Sequence, residues 1–308
     1  MPPYFSHRPA ASLAALFAIV GLILLAASPV SAAPAAPEPP VETRMVKNIA
    51  YYEPVALKKG DAYQRECCFL DISYPANRKG FSTLVWFHGG GMTAGQRYFP
   101  AIPDPGLAIV TVDYRLSPKG KFPSYLEDAA AAVAWTLRHV GEYGGDPDRV
   151  FVGGISAGGY LAAMVGMDPR WLAAHGISNR RLAGLVPVSG EMTTHFLIKK
   201  ELALRDGKAV PVEPLLPQID ENAPLYYVSR DLPPICLIVG ERRLDWPARA
   251  AENMLMADTL RALKHPSVEC YELSGHNHGL IADGALPLLA QWVRKATVKK
   301  EQPPEEKK

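Results

Sequence analysis

The chain has 308 residues, with 33 Lys and Arg against 31 Asp and Glu and 48% hydrophobic residues. A net charge of +2 supplies no field that would hold nucleic acid or an anionic membrane, and the apolar content excludes a disordered protein. Four cysteines are too few for a disulfide scaffold of this length.

At the N-terminus, Arg8 is the only Lys, Arg, Asp or Glu before Glu38, and residues 9–28 form an uncharged apolar run. Small residues follow it at Val30-Ser31-Ala32-Ala33, as at a signal-peptidase site. Residues 1–32 are therefore expected to be a signal peptide, cut after Ala32, because cutting after Ala33 would leave Pro34 in first place. Export to the periplasm or the medium follows. The alternative is an N-terminal membrane anchor, since the run is near spanning length. Residues 33–42 are a Pro/Ala-rich spacer, residues 43–296 the globular domain, and residues 297–308 a Lys/Glu-rich tail expected to be disordered.

Within the domain, near-continuous apolar runs at 67–74, 83–87, 107–112, 150–152, 185–188 and 235–239, with a shorter one at 268–273, read as strands covered on both faces. Helical periodicity occupies 125–139, 157–166, 248–263 and 287–293. Strands followed by helices predict a mostly parallel sheet. The first two strands lie too close together for a crossover helix, so that edge is expected to be antiparallel.

The strongest local signal is Gly153-Gly154-Ile155-Ser156-Ala157-Gly158-Gly159, which contains Gly-x-Ser-x-Gly between a short strand and a helical stretch. That is the context of a nucleophile elbow, where Ser156 takes a strained backbone and its neighbours have room for almost no side chain. His88-Gly89-Gly90-Gly91 follows the strand at 83–87, and its bare N–H groups suit an oxyanion. A dinucleotide fingerprint also fits Gly89, Gly91 and Ala94, with Asp113 placed to take a ribose. It requires a helix where Pro100, Pro103 and Pro105 crowd the chain, and so it is set aside.

A serine nucleophile needs a histidine to take its proton and a carboxylate to hold that histidine's tautomer. Asp245, on the loop after the strand at 235–239, is the expected acid, with Glu241 as the fallback. His278, followed by Gly279 after the last strand, is preferred as the base over His276, giving the order Ser…Asp…His. His276-x-His278 could also bind metal, but no third ligand is evident and none is expected. His139, His175, His195 and His265 sit in no motif and read as surface or packing residues. Cys67 and Cys68 fall in an early strand with side chains on opposite faces. Cys236 and Cys270 read as buried free thiols, a bridge between them remaining open.

Together with these motifs, Asp113-Tyr114-Arg115-Leu116-Ser117-Pro118, Phe122-Pro123, Gly145-Asp146-Pro147-Asp148-Arg149 and Asp245-Trp246-Pro247 carry a resemblance. Over roughly residues 83–279 the chain resembles the esterase/lipase branch of the α/β hydrolases that carries the His-Gly-Gly-Gly loop. Within that branch it is most similar to small bacterial feruloyl-esterase-like and acetyl-esterase-like carboxylesterases. Two features depart from the pattern: Ile155 stands where hormone-sensitive-lipase-like relatives usually have Asp, and Arg242-Arg243-Leu244 alters the acid loop.

The resemblance implies an α/β-hydrolase fold with helices on both faces of the sheet and a minimal cap, the segment 191–222. It implies a serine carboxylic-ester hydrolase with Ser156, Asp245 and His278 catalytic, and Gly89, Gly90 and Ala157 holding the oxyanion. No metal or organic cofactor is required. The expected partner is a small-molecule or polysaccharide ester, short-chain or carbohydrate-linked; the oligomeric state is unspecified. The alternatives are a non-catalytic binding module on the same fold, or a lipase or peptidase of that fold.

Overall fold

A computed structural model describes residues 39–54, 59–210 and 216–301. The expected signal peptide, most of the spacer and residues 302–308 of the tail lie outside the described residues. Eight strands make one sheet in the order β1-β2-β4-β3-β5-β6-β7-β8. They are β1 (Thr43–Ala50), β2 (Phe69–Pro75), β3 (Phe81–Phe87), β4 (Ala108–Val112), β5 (Gly145–Ile155), β6 (Gly184–Val188), β7 (Ile235–Gly240) and β8 (Val268–Leu273).

From β4 to β8 every neighbouring pair is parallel, while β2 runs antiparallel to both β1 and β4. The antiparallel edge is present as expected, but β2 pairs with β4 rather than with the next strand in sequence. Strand β1, whose burial pattern is mostly exposed, has no apolar run and was not expected.

The strands alternate between two cores. Val85, Phe87, Val110, Val152 and Leu237 face one cluster, while Leu84, Trp86, Ile109, Phe151 and Ile238 face the other. Period-two side chains with both faces buried explain why the strand sequences show no polar alternation. On the first face pack α2 (Ser124–Tyr143), α3 (Ala157–Met167) and α6 (Arg249–Ala262). On the second packs α7 (Ile281–Glu301), through Ile281, Leu289 and Trp292. Short helices α1 (Ala62–Cys67) and α4 (Pro169–Ala173) and the helix α5 (Phe196–Arg205) complete the described set.

Two expectations are corrected here, and one alternative left open is decided. Cys67 ends α1 and Cys68 caps it, so the strand starts after them, and their sulfurs lie 3.8 Å apart rather than on opposite faces. Asp61 contributes to the difference at that end, because its carboxylate accepts from Gln64 N and starts a helix that runs on to Cys67, the first residue of the expected strand. The tail is helical through Glu301, since Trp292 and Val293 are buried in register and Thr297 Oγ1 lies 2.8 Å from Ser82 Oγ. Cys236 and Cys270 are free: register pairs Cys236 with Glu269 and Leu237 with Cys270, so the thiols lie on opposite faces of the sheet.

No helix joins β3 to β4. Residues 88–107 form a loop tied down by Arg97, whose Nε lies 2.9 Å from Asp71 and whose guanidinium also pairs with Asp113. Asp113 is thus occupied in holding the loop, and the dinucleotide reading has neither its helix nor its free acid.

Beneath that loop, the fully buried carboxylate of Asp128 on α2 accepts from Arg115 N, Nε and Nη2 and from Tyr52 OH, at 2.9, 2.8, 2.7 and 2.6 Å. Removing it would leave a buried guanidinium without its main partner. Asp128→Ala is expected to lose about 3–5 kcal/mol of stability, measured by urea unfolding. A loss below about 1 kcal/mol would show that this network does not hold the β4–α2 connection.

Candidate active site

The candidate residues stand at the carboxyl ends of four consecutive strands, β5 to β8. Ser156 follows β5, Ser189 follows β6, Asp245 lies on the loop after β7 and His278 on the loop after β8. Parallel strands lying side by side carry residues far apart in sequence to one edge, the usual position of a site in an open α/β sheet.

Ser156 occupies the turn between β5 and α3 with φ 57° and ψ −123°, a backbone that non-glycine residues rarely adopt. The neighbouring glycines are required by proximity rather than by dihedral freedom. A Cβ on Gly158 would lie 2.1 Å from the Phe87 carbonyl oxygen, and one on Gly154 would lie 2.4 Å from that of Gly158. The elbow is therefore pressed against the end of β3, where the His88–Gly91 loop begins.

His278 Nε2 lies 2.9 Å from Ser156 Oγ, and its Nδ1 lies 2.7 Å from Asp245 Oδ1. Asp245 is buried and accepts three further hydrogen bonds: from Trp246 N at 2.7 Å, Gly240 N at 2.9 Å and Ser189 Oγ at 2.6 Å. Burial works to raise its pKa, but the hydrogen bonds from His278, Ser189, Trp246 and Gly240 outweigh it and hold the carboxyl down at about 2. An ionised Asp245 can only accept, so Nδ1 of His278 carries a proton and Nε2 faces the serine hydroxyl as an acceptor.

The two fallback residues have other partners. Glu241 accepts from Gly275 N at 2.8 Å and from Ser274 Oγ at 3.3 Å, bracing the loop that presents the histidine. His276 places Nδ1 2.9 Å from Ser274 O, and its carbonyl accepts from Glu241 N at 2.9 Å. The two imidazoles thus have different partners. Arg242, part of the altered acid loop, donates through Nε to Glu272 Oε1 at 3.0 Å, away from the serine.

Gly89, Gly90 and Gly91 line the same cavity as Ser156, with Gly90 at φ 102° and Gly91 at φ 61°. Gly91 belongs to the motif but not to the expected oxyanion set of Gly89, Gly90 and Ala157. Ala157 opens α3, so its N–H has no intrahelical acceptor. The ring of His88 stacks on Tyr114 at 4.4 Å, and Tyr114 OH donates to His88 O at 2.8 Å, fixing the base of the loop.

Two residues of this site escaped the sequence reading. Ser189 carries no motif; its only signal is a small polar residue at the carboxyl end of the strand between those of Ser156 and Asp245. His195, expected to be a surface or packing residue, is buried with Nε2 2.9 Å from Glu191 Oε2, and both line the cavity. They belong to the segment 191–222 that was expected to cap the site, and its described part contains one helix of more than one turn, α5. The cavity measures about 400 Å³. Another of about 430 Å³, between α2, α4 and α5, contains none of the residues named for catalysis.

Comparison with known proteins agrees with this architecture. The family model described as BD-FAE matches residues 70–174. Esterase LipC of Mycobacterium tuberculosis is 29% identical over 65% of this chain and 52% of its own length. The chain spans about half the length of the first curated relatives it matches. Among solved structures, Thermogutta terrifontis esterase 2 is 24% identical, with a TM-score of 0.58 over 74% of this chain and 89% of that one. A truncated carbohydrate esterase from gut microbiota is 16% identical, with a TM-score of 0.61 over 83% and 96%. The chain has the α/β-hydrolase fold.

Ser189 supplies one of the four hydrogen bonds on Asp245, and its loss should let the carboxyl titrate higher. Because the folded pKa of Asp245 lies below its unfolded value of about 3.9, its stabilising effect is present above that pH and is lost as pH falls towards 2. Acid unfolding of Ser189→Ala should therefore begin at higher pH than wild type; coincident acid-unfolding curves would remove Ser189 from the set that holds Asp245.

Proposed function

We propose that this α/β-hydrolase-fold chain is a serine carboxylesterase acting through an acyl-enzyme. The observation that carries the reading is the continuous chain of contacts from Ser156 Oγ to His278 Nε2 at 2.9 Å and from His278 Nδ1 to Asp245 Oδ1 at 2.7 Å. A hydroxyl, an imidazole with its acceptor nitrogen turned to it, and a buried anion behind that imidazole make a nucleophile of ordinary serine.

In the proposed sequence, Ser156 Oγ attacks the ester carbonyl carbon as its proton passes to His278 Nε2. Asp245 stabilises the resulting imidazolium. The negative oxygen of the tetrahedral intermediate is held by the N–H groups of Gly89, Gly90 and Ala157, each contributing about 3–4 kcal/mol by the behaviour of such donors. The C–O bond to the alcohol breaks as His278 returns the proton to the leaving oxygen. Water, deprotonated by the same nitrogen, then releases the acid and restores Ser156.

The substrate class we infer is a short-chain or carbohydrate-linked ester. The match to the BD-FAE model and the likeness to a carbohydrate esterase support it, as do the cavity of about 400 Å³ and the largely polar segment beside it. The apolar run and small-residue site at residues 9–33 support export, with the mature chain beginning at Ala33. Mass spectrometry of the cell-free and periplasmic protein reads that terminus directly; a chain retaining residues 1–32 would overturn it.

Hydrolysis of p-nitrophenyl acetate tests the chemistry. Ser156→Ala and His278→Ala should each lose at least about 10³-fold in kcat, whereas His276→Ala should lose little. Equal rates for wild type and Ser156→Ala would replace the enzyme reading with that of a binding module on the same fold.

A further inference from the structure

The cavity beside Ser156 contains a charge that the reaction does not use. Arg249 is the first residue of α6, is 4% exposed, and lines the cavity with Ser156 and His278. Its Nε and Nη1 are shielded from solvent and have no hydrogen-bond acceptor among the described residues. The nearest carboxylate oxygen, Glu191 Oε2, stands 3.9 Å from Nη1 and is taken by His195 Nε2 at 2.9 Å.

Glu252, the other acid influencing this arginine, directs Oε2 to Met192 N and Thr193 N at 2.9 and 3.3 Å. Burial pushes the Glu252 carboxyl up, which weakens it further as a counter-charge. Both nearby acids thus bond to other donors. A guanidinium does not deprotonate in a protein, so burial leaves its charge in need of a close anion. The amino-terminal end of the 14-residue α6 adds positive potential at the same place.

Building on the ester-hydrolysis reading, we propose that Arg249 is a receptor for a carboxylate on the substrate, and that the preferred esters carry a free carboxylate elsewhere in the molecule. The scissile carbonyl sits at Ser156 while the distant carboxylate supplies, from the cavity side, the close counter-charge that Arg249 lacks. Arg249 thereby selects the substrate without entering the chemistry.

The test uses half-methyl esters of the dicarboxylic acids from succinate to adipate, each against its neutral primary amide. At one or more chain lengths the wild type should show kcat/KM at least about tenfold higher for the carboxylate, the effect of one charge-assisted pair, and Arg249→Gln should bring the ratio near one. Arg249→Lys, which keeps the charge and loses the fork, should give an intermediate ratio; it also serves if the glutamine variant does not fold.

Binding of the same compounds to Ser156→Ala, followed by Trp246 fluorescence, separates recognition from turnover. Carboxylates should bind at least about tenfold more tightly than amides, and the added Arg249→Gln should abolish the difference. A ratio at or below one at every length, or one that survives Arg249→Gln, overturns the proposal and leaves Arg249 a structural counter-charge. Carboxylate-selective binding without hydrolysis of any ester would overturn the esterase reading and leave the receptor standing.

Discussion

The arrangement depends on how closely the turn after β5 can approach the end of β3. Gly158 brings its Cα so near the Phe87 carbonyl that a methyl group there would sit 2.1 Å from the oxygen. That contact sets the Ser156 side chain directly over the loop that follows β3, and it is maintained only while Ser156 accepts a left-handed backbone. The strain is local and the support is broad. Central strands buried on both faces carry the turn, and the fully buried Tyr160 on α3, whose OH donates to Asn222 O at 2.6 Å, fastens it to the segment beside the cavity.

With the serine placed, the neighbouring strands deliver its partners in spatial order. Strand β6 ends at Ser189, β7 leads to Asp245 and β8 to His278, so each helper stands one strand spacing beyond the last. The acid receives four hydrogen bonds while buried, which keeps it charged and fixes the histidine tautomer. The buried cation of Arg249, lining the same cavity as Ser156, has the opposite condition, with two donors that no group among the described residues satisfies. One buried charge is thus held by four hydrogen bonds while the other lacks a close counter-charge, which is the contrast on which the proposed division between reaction and recognition rests.

Much of this was legible because the chemistry is written in short contiguous motifs. Gly-x-Ser-x-Gly and His-Gly-Gly-Gly each state a local backbone geometry, and Asp245 and His278 follow late strands whose apolar runs are unambiguous. The boundaries failed where one local bond or one distant contact decided them. The helix that Asp61 caps runs on to Cys67, where the expected strand began, and the buried ring of Trp292 carries α7 past a charged stretch that looked like free tail. Ser189 and His195 stayed hidden because neither has a pattern around it; each acquires its meaning from a residue tens of positions away or from the cavity it faces.

The sequence by itself determined the fold class, the position of the candidate serine and the order in which its proposed partners appear. Those follow from steric and periodic rules acting over a few residues: what a tight turn excludes, and which face a strand buries. Tertiary structure alone decided which of two histidines reaches the serine, which acid stands behind it, that two neighbouring-strand thiols face apart, and that Arg249 enters the cavity without an acceptor. These are properties of register and long-range packing. A one-residue offset between β7 and β8 or one turn of α6 changes them, while leaving every local pattern in the chain the same.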